Sequence, residues 1–435
     1  MSRTDILNAF SPAQEVVQPR LFAGRHDQVR ELSDALRTVG SCPVIYGDRG
    51  LGKTSLAVQS QLIAMGDGEL LCQLGLQDYI LSNDETFLTF FVTCSDDVID
   101  FKNLQQRILN AFRDFSTQAV ETGSETKRVL VDQQSRRKIS FKFFEAEQTN
   151  HYKQRLKELN LDDLSLTEQI KREADLLLNC YGQRALVILD ELDRIGDTKG
   201  LASFLKTMSG EQLKFALVGI AQSLSDLGLD HKSVGRNLWP VRVPRMTPAE
   251  LGEIVDRALG GLQEHGYNYS FTDSARSNLV KAAGGFPWFV HVIGQSALIA
   301  ALSAQKSEVT SELLKGAIKG LAMNRFAQNF KDSYQVAVRD SFNREIVLRS
   351  FAHWGFTDMP TRDVYAIARK LGVKNPAVYK GHLTSEHYGA PLVAPGFQEQ
   401  GILRFRDEMF KQYVKLAPSF YKDVDSDVRQ AYESY

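Results

Sequence analysis

The chain lacks a dominant charge: its 435 residues carry 52 Lys and Arg against 53 Asp and Glu, a net charge of -1. A global electrostatic pull toward nucleic acid or an anionic membrane is thereby excluded, so any such partner has to be met by a local basic face. Cysteine is scarce as well. Cys42, Cys72, Cys94 and Cys180 stand far apart with no CxxC pair, and three border apolar segments, a pattern of buried reduced thiols rather than of disulfides or zinc ligands. Long apolar runs are missing too. The most apolar stretch, 286–302, is broken by His291, Gln295 and Ser296, and the opening MSRTDILNAFSPAQE has no basic segment followed by an apolar one. Neither a membrane span nor a signal peptide is expected, and the protein reads as cytoplasmic.

What is present points to two or three packed domains, since 43% apolar content over this length is too much for disorder and too long for one core. Short apolar runs alternate with helix-period segments at Pro43 to Tyr46, Thr86 to Cys94, Ala185 to Leu189, Phe215 to Ile220 and Leu238 to Val243. Continuous runs of this kind are strands buried on both faces, so the first region, 1–245, is expected to be a doubly wound α/β core with a mostly parallel sheet. From Thr247 the strands stop. Helix starts are legible at Thr247-Pro248 with Glu250, at Thr272-Asp273 and at Thr310-Ser311 with Glu312, which predicts a helical lid over 246–335. The region 336–435 opens with helices near 345–354, 361–371 and from Asn375-Pro376, followed by strands at 391–394 and 402–406 joined by a turn at Pro395-Gly396. Three helices and a hairpin predict a winged helix. An insertion of about sixty residues, roughly 116–176, dense in Gln, Lys, Arg and Glu, interrupts the core and offers either a helical hairpin for a protein partner or a solvated excursion.

The chemistry concentrates in Gly47, Asp48, Arg49, Gly50, Leu51, Gly52, Lys53 and Thr54, which satisfy G-x4-G-K-[ST] after an apolar strand and before a helix, with Ser55 next. Glycines let successive N–H groups curl toward phosphates, Lys53 would neutralise the β and γ oxygens, and the Thr54 hydroxyl would coordinate Mg2+. ATP or ADP is the expected ligand. The strand Leu186-Val-Ile-Leu-Asp190-Glu191 ends in two carboxylates, of which Asp190 would hold the metal and Glu191 would orient and deprotonate the attacking water. Hydrolysis is therefore expected beyond binding. Gln222, after the fourth strand, is placed to contact the γ-phosphate, and Arg236, before the fifth, to reach a neighbouring subunit's γ-phosphate in a homo-oligomer.

Leu21-Phe-Ala-Gly-Arg25, LVILDELD, VGIAQSLSDL and VPRMTPAELGEIVDRAL resemble the bacterial relatives of the origin-recognition and Cdc6 ATPases and the neighbouring STAND switch ATPases, over about 21–302. The resemblance implies a P-loop NTPase core of the ASCE/AAA+ type, with Phe22, Gly24 and Arg25 lining the adenine pocket. Two positions depart from it. Gln222 stands where the origin-recognition group has Asn, and Gly284-Gly285-Phe286-Pro287 stands where that group has a lid arginine, resembling instead the Gly-x-Pro motif by which STAND proteins close Gly285 and Pro287 over nucleotide. In the C-terminal region, 13 Lys and Arg face 8 Asp and Glu between Arg339 and Lys422. Lys374, Lys380, His382 and His387 lie on or beside the expected recognition helix, and Arg404 and Arg406 alternate outward on the second wing strand, which suits double-stranded DNA. Two functions follow from the sequence: an ATPase whose nucleotide state controls assembly or DNA association, and a STAND-like signalling switch, as in phage defence, that works through a protein partner without touching DNA.

Overall fold

The computed structural model describes residues 3–94, 98–117, 128–132, 137–141, 151–152, 154–156, 164–210, 212–221, 224–227, 236–320, 327–394 and 401–434. They gather into two compact units. One comprises Glu15–Asp48 and Gly52–Pro244, and the other comprises the residues up to Gln14, Arg49–Leu51 and the chain from Arg245 onward.

In the first unit the five apolar runs become β1 (Cys42–Gly47), β2 (Phe87–Thr93), β5 (Arg184–Asp190), β6 (Leu213–Ile220) and β7 (Leu238–Arg242), all parallel in the order β2-β5-β6-β1-β7. Parallel pairing requires crossovers, supplied by helices that include α2 (His26–Arg37), α3 (Lys53–Ala64), α4 (Glu69–Gln73), α5 (Phe101–Thr117), α6 (Leu166–Tyr181) and α7 (Leu201–Met208). Aromatic rings fill the core. Phe90 of β2 meets Phe112 and Phe115 of α5 edge-on at 4.6 and 5.3 Å, and Phe215 of β6 meets Phe204 of α7 at 5.5 Å. Burying each such ring contributes roughly 2–3 kcal/mol. Register then sets the function: Thr93 lies opposite Asp190, and Gly47 opposite Ile220, so the strands' C-terminal ends share one edge of the sheet. Loops that follow them collect there.

The insertion is partly described. An antiparallel pair, β3 (Arg128–Asp132) and β4 (Arg137–Phe141), lies in its first half. Val129, Val131 and Ile139 supply the β-branched content that favours strand there. Its second half is α6, opened by a capping box in which Ser165 and Glu168 satisfy each other's backbone N–H groups. This helix returns to the core. Ile170, Ala174, Leu177 and Tyr181 are buried at helical spacing, and Arg113 of α5 donates to the buried Glu173 at 2.9 Å and to Gln169 at 3.2 Å.

The second unit opens with α1 (Arg3–Ala9) and continues with α8 (Pro248–Glu264), α9 (Asp273–Ala283), α10 (Pro287–Ser303), α11 (Ser311–Lys319) and α12 (Gln328–Val338). Thr247 and Glu250 form the capping box that their spacing predicts. Two-residue strands β8 (Ser270–Phe271) and β9 (Glu308–Val309) pair in parallel. The polar residues that break the apolar run of α10 have a structural use. Gln295 donates to the carbonyls of Leu7 and Phe10 at 2.7 and 3.1 Å, His291 accepts the Ser11 N–H at 3.3 Å, and Phe10 packs against Gly294. Burial lowers His291 to about 4 and so keeps it the neutral acceptor this contact needs. Among the described residues no helix is long and apolar enough to cross a membrane.

The same unit ends in α13 (Phe342–His353), β10 (Met359–Pro360), α14 (Thr361–Lys370), α15 (Pro376–Leu383), β11 (Leu392–Val393), β12 (Ile402–Phe405), α16 (Glu408–Leu416) and α17 (Val424–Glu433). β10 and β11 flank β12 in a small antiparallel sheet. The turn expected at Pro395-Gly396 lies outside the described residues. A fully buried Arg349 ties the helices together, donating to Tyr334 at 3.0 Å, Glu345 at 3.2 Å, Asp425 at 2.8 Å and the carbonyls of Val414 and Ala417. Five acceptors around one guanidinium satisfy a charge that burial alone would make costly.

Candidate functional site

β1 ends at Gly47, and the next turns need left-handed backbone at Gly50 (φ 74°) and Gly52 (φ 85°), which glycine adopts without a Cβ penalty. Gly52 is the N-cap of α3 and provides no side-chain cap, and the first-turn N–H groups of a helix, which have no partner within it, are the ones an anion would take. Lys53 is 8% exposed, and its Nζ donates to the Asp48 carbonyl at 2.8 Å, holding the ammonium over the loop it follows.

Asp190, the last residue of β5, is 4% exposed. Its carboxylate accepts a hydrogen bond from the Thr54 hydroxyl and, at 2.8 Å, from the Glu191 N–H. Strand β6 separates β1 from β5, so the loop threonine and the acid meet across an intervening strand. Burial raises Asp190 to about 6; the two hydrogen bonds and Lys53 pull the other way, while Glu191 adds to the rise. A buried carboxylate with surplus proton affinity beside a hydroxyl is a hard oxygen pair short of positive charge, which fits Mg2+. Among the described residues no group of three His, Cys, Asp or Glu could hold a metal by itself, so such an ion would complete its shell with phosphate and water oxygens.

Glu191 adopts left-handed backbone (φ 57°, ψ 39°), a costly conformation for a residue with a Cβ. Its half-exposed side chain meets Arg194, with Oε2 at 3.2 Å from Nε. Asp193 then accepts the Ile220 N–H at 2.7 Å and fixes the end of β6 just before Gln222, which itself lies outside the described residues. Sequence reading missed both Asp193 and Arg194. Their signal was present in LDELDR, where charge continues past the acid pair in a tight turn.

The remaining candidates are placed as follows. Phe22 and Arg25 are buried, Gly24 and Arg25 are left-handed, and Arg25 donates to the Pro244 carbonyl at 2.7 Å. The segment leading to them is pinned to α3, since Ser55 accepts the Val16 N–H at 3.1 Å and Gln59 donates to the Val16 and Val17 carbonyls at 2.9 Å. Arg236 is exposed in the turn before β7, where Leu238 pairs with Cys42, so it sits at the sheet edge opposite Gly47. Five residue steps along the strand separate Cys42 from Gly47, about 17 Å.

In the second unit Gly284 (φ 60°) caps α9, Gly285 (φ 90°) follows, and Pro287 opens α10. Both glycines have a packing reason. A Cβ on Gly284 would stand 2.5 Å from the Gln412 amide, and one on Gly285 would stand 2.6 Å from Arg245 Cβ. Gln412 donates to the Ala282 carbonyl at 2.7 Å, and Arg245 lies 4.8 Å over the Phe286 ring while paired with Glu408. Lys374 is exposed before α15 and Lys380 lies on it, whereas Arg404 is paired with Asp358 and Arg406 with Glu386 at 2.7 Å.

No protein-family description and no curated protein matches the sequence. Among solved structures the chain is similar to the Walker-type ATPase PABY2304 of Pyrococcus abyssi, at 16% identity and a TM-score of 0.48 over 94% of this chain and 99% of that one. It is also similar to the Aeropyrum pernix ORC2 protein in ADPNP-ADP complexes, at 14% identity and a TM-score of 0.49 over 94% and 95%. A third is the Thermotoga maritima RuvB Holliday junction branch migration motor, at 15% identity and a TM-score of 0.40 over 88% and 93%.

Proposed function

We propose that this chain is an ATP-binding and hydrolysing ATPase of the AAA+/STAND type whose nucleotide state controls its assembly and its association with double-stranded DNA. The meeting of Thr54 with Asp190, one residue before Glu191, is the observation that supports it most. Each side chain then has a task. The N–H groups of the loop and of the first turn of α3 bind the phosphates, and Lys53 leaves the Asp48 carbonyl to neutralise the β and γ oxygens. Thr54 and Asp190 hold Mg2+, which supplies Lewis-acid stabilisation of the developing phosphate charge. Glu191, steadied by Arg194, orients the attacking water and accepts its proton. Gln222 contacts the γ-phosphate in the same chain, and Arg236 that of a neighbour in a homo-oligomer. Phe22, Gly24 and Arg25 hold the base, while Gly285 and Pro287 close over the nucleotide. The C-terminal helices and small sheet act as a winged helix toward DNA, and the 116–176 insertion serves a protein partner.

The pairing of Arg404 with Asp358 and of Arg406 with Glu386 favours a second reading, because the wing's cations are already neutralised. In that case the protein is a signalling switch that acts through a partner protein. ATPase turnover measured with and without duplex DNA separates the two. Stimulation by DNA, or ATP-dependent DNA binding, supports the first; turnover indifferent to DNA, with ADP retained, supports the switch.

A further inference from the structure

Around the ring of Tyr388, four residues before β11, the C-terminal region assembles an unusual set of groups. The Arg344 and Arg339 guanidinium carbons lie 4.3 and 4.7 Å from the ring centroid, the His382 ring stacks on it at 4.9 Å, and the His387 ring meets it edge-on at 4.9 Å. Arg344 is buried at 6% exposure, anchored through Nε and Nη2 to the Val338 carbonyl at 3.1 and 2.8 Å, while Arg339 is exposed and anchored to the His387 carbonyl at 2.8 Å. Among the described residues no carboxylate lies within ion-pairing distance of either guanidinium. Two cations on one ring without a carboxylate partner are an electrostatic cost that a bound anion would offset.

The hydrogen bonds make the requirement specific. Arg344 Nη1 meets His382 Nδ1 at 3.2 Å, and Arg339 Nη1 meets His387 Nε2 at 2.9 Å. A guanidinium has no acceptor, so each of these imidazole nitrogens must be the acceptor, and the proton of each neutral ring sits on its other nitrogen. That leaves His382 Nε2–H, His387 Nδ1–H, Arg339 Nε–H and the Tyr388 hydroxyl as donors around one ring with no acceptor supplied by the described chain. Several N–H and O–H donors with cationic support are the complement of a tetrahedral oxyanion.

We propose that Arg339, Arg344, His382, His387 and Tyr388 form a phosphate-binding site, and that the phosphate is that of a DNA backbone. The proposal rests on the DNA-binding part of the preceding reading and moves the anchoring contact from the wing, whose arginines are paired, to the junction of α12, α13 and the turn after α15. It fixes position on the duplex and carries no base specificity.

The test uses the full chain and the exposed members. Duplex binding is followed by fluorescence anisotropy against salt for wild type, Arg339→Gln and His387→Gln, with ATP turnover in the absence of DNA as the check that the fold is intact. Arg339→Gln is expected to weaken binding roughly tenfold and to reduce the slope of log K against log salt by about one, because one phosphate contact is lost. In a parallel arm, inorganic phosphate is titrated at constant ionic strength while the His382 and His387 ring resonances are observed by NMR. Phosphate-dependent shifts in wild type, lost in Arg339→Gln, support the site; if they occur while wild type binds no duplex, the ligand is a small phosphate and the DNA reading fails. Wild-type affinity and salt slope in Arg339→Gln, together with resonances that phosphate does not move, would overturn the proposal.

Discussion

Replacing Asp190 by Asn should make the nucleotide-free protein more stable while removing its metal chemistry. Asp190 is 4% exposed, and burial lifts it from 3.8 to about 6. A rise of about 2 units corresponds to roughly 3 kcal/mol between the protonated and ionised forms. The sign follows from proton linkage. Because the folded protein holds this proton more tightly than the unfolded chain, the folded state binds more protons between pH 4 and 6, and stability falls as pH rises through that window. Above it the full penalty is present in wild type and absent in the isosteric amide, which keeps an oxygen to accept the Glu191 N–H. Urea denaturation at pH 7.5 without Mg2+ should therefore find Asp190→Asn more stable by as much as ~3 kcal/mol, and the gap should close near pH 4. Added Mg2+ and nucleotide should reverse the order, since only the carboxylate gains from the cation. A variant that is less stable at pH 7.5, or a difference that does not change with pH, would refute the argument that an uncompensated buried charge waits there for a metal.

Lys53→Ala should lower ATP and ADP affinity by roughly 100-fold in calorimetric titrations, since two charge-assisted phosphate contacts are lost. Gly284→Ala should lower stability by about 2–3 kcal/mol, from left-handed strain and from crowding of Gln412, and a second change, Gln412→Ala, should return only the crowding part in a thermal melt. Arg349→Met should destabilise the C-terminal helices by roughly 3–5 kcal/mol by leaving the buried Glu345 without its counter-charge, while Asp425 keeps Arg429; an unfolding midpoint equal to wild type would contradict the role given to that guanidinium.

The central sheet was legible because strands covered on both faces must be continuously apolar, as four of the five runs are; β7, at the sheet's edge, alternates instead, with Pro240 and Arg242 exposed. Helix starts were legible wherever a side chain closes a cap locally, as at Thr247 with Glu250. Strand order was not, because nothing in Phe215 to Ile220 says that β6 lies between the phosphate-loop strand and the acid strand. Partnerships between distant residues were equally hidden. His291 and Gln295 read only as interruptions of an apolar run, yet they receive the N-terminal segment, and nothing in the sequence around Gly284 and Gly285 announces that Gln412 and Arg245 pack beside them. The alternating charges at Arg404 and Arg406 read as a DNA-facing strand, but their carboxylate partners Asp358 and Glu386 come from elsewhere in the chain, as do the two arginines beside Tyr388.

Hydrolysis at this site turns most directly on Glu191. Steady-state ATP hydrolysis with Mg2+ should be measured for wild type and Glu191→Gln, with ATP binding recorded for both. Wild type should turn over ATP, and the amide should bind it as well while losing at least about 100-fold in rate, the usual scale of a positioned general base. Equal turnover by the two proteins would contradict the assignment of hydrolysis to this site.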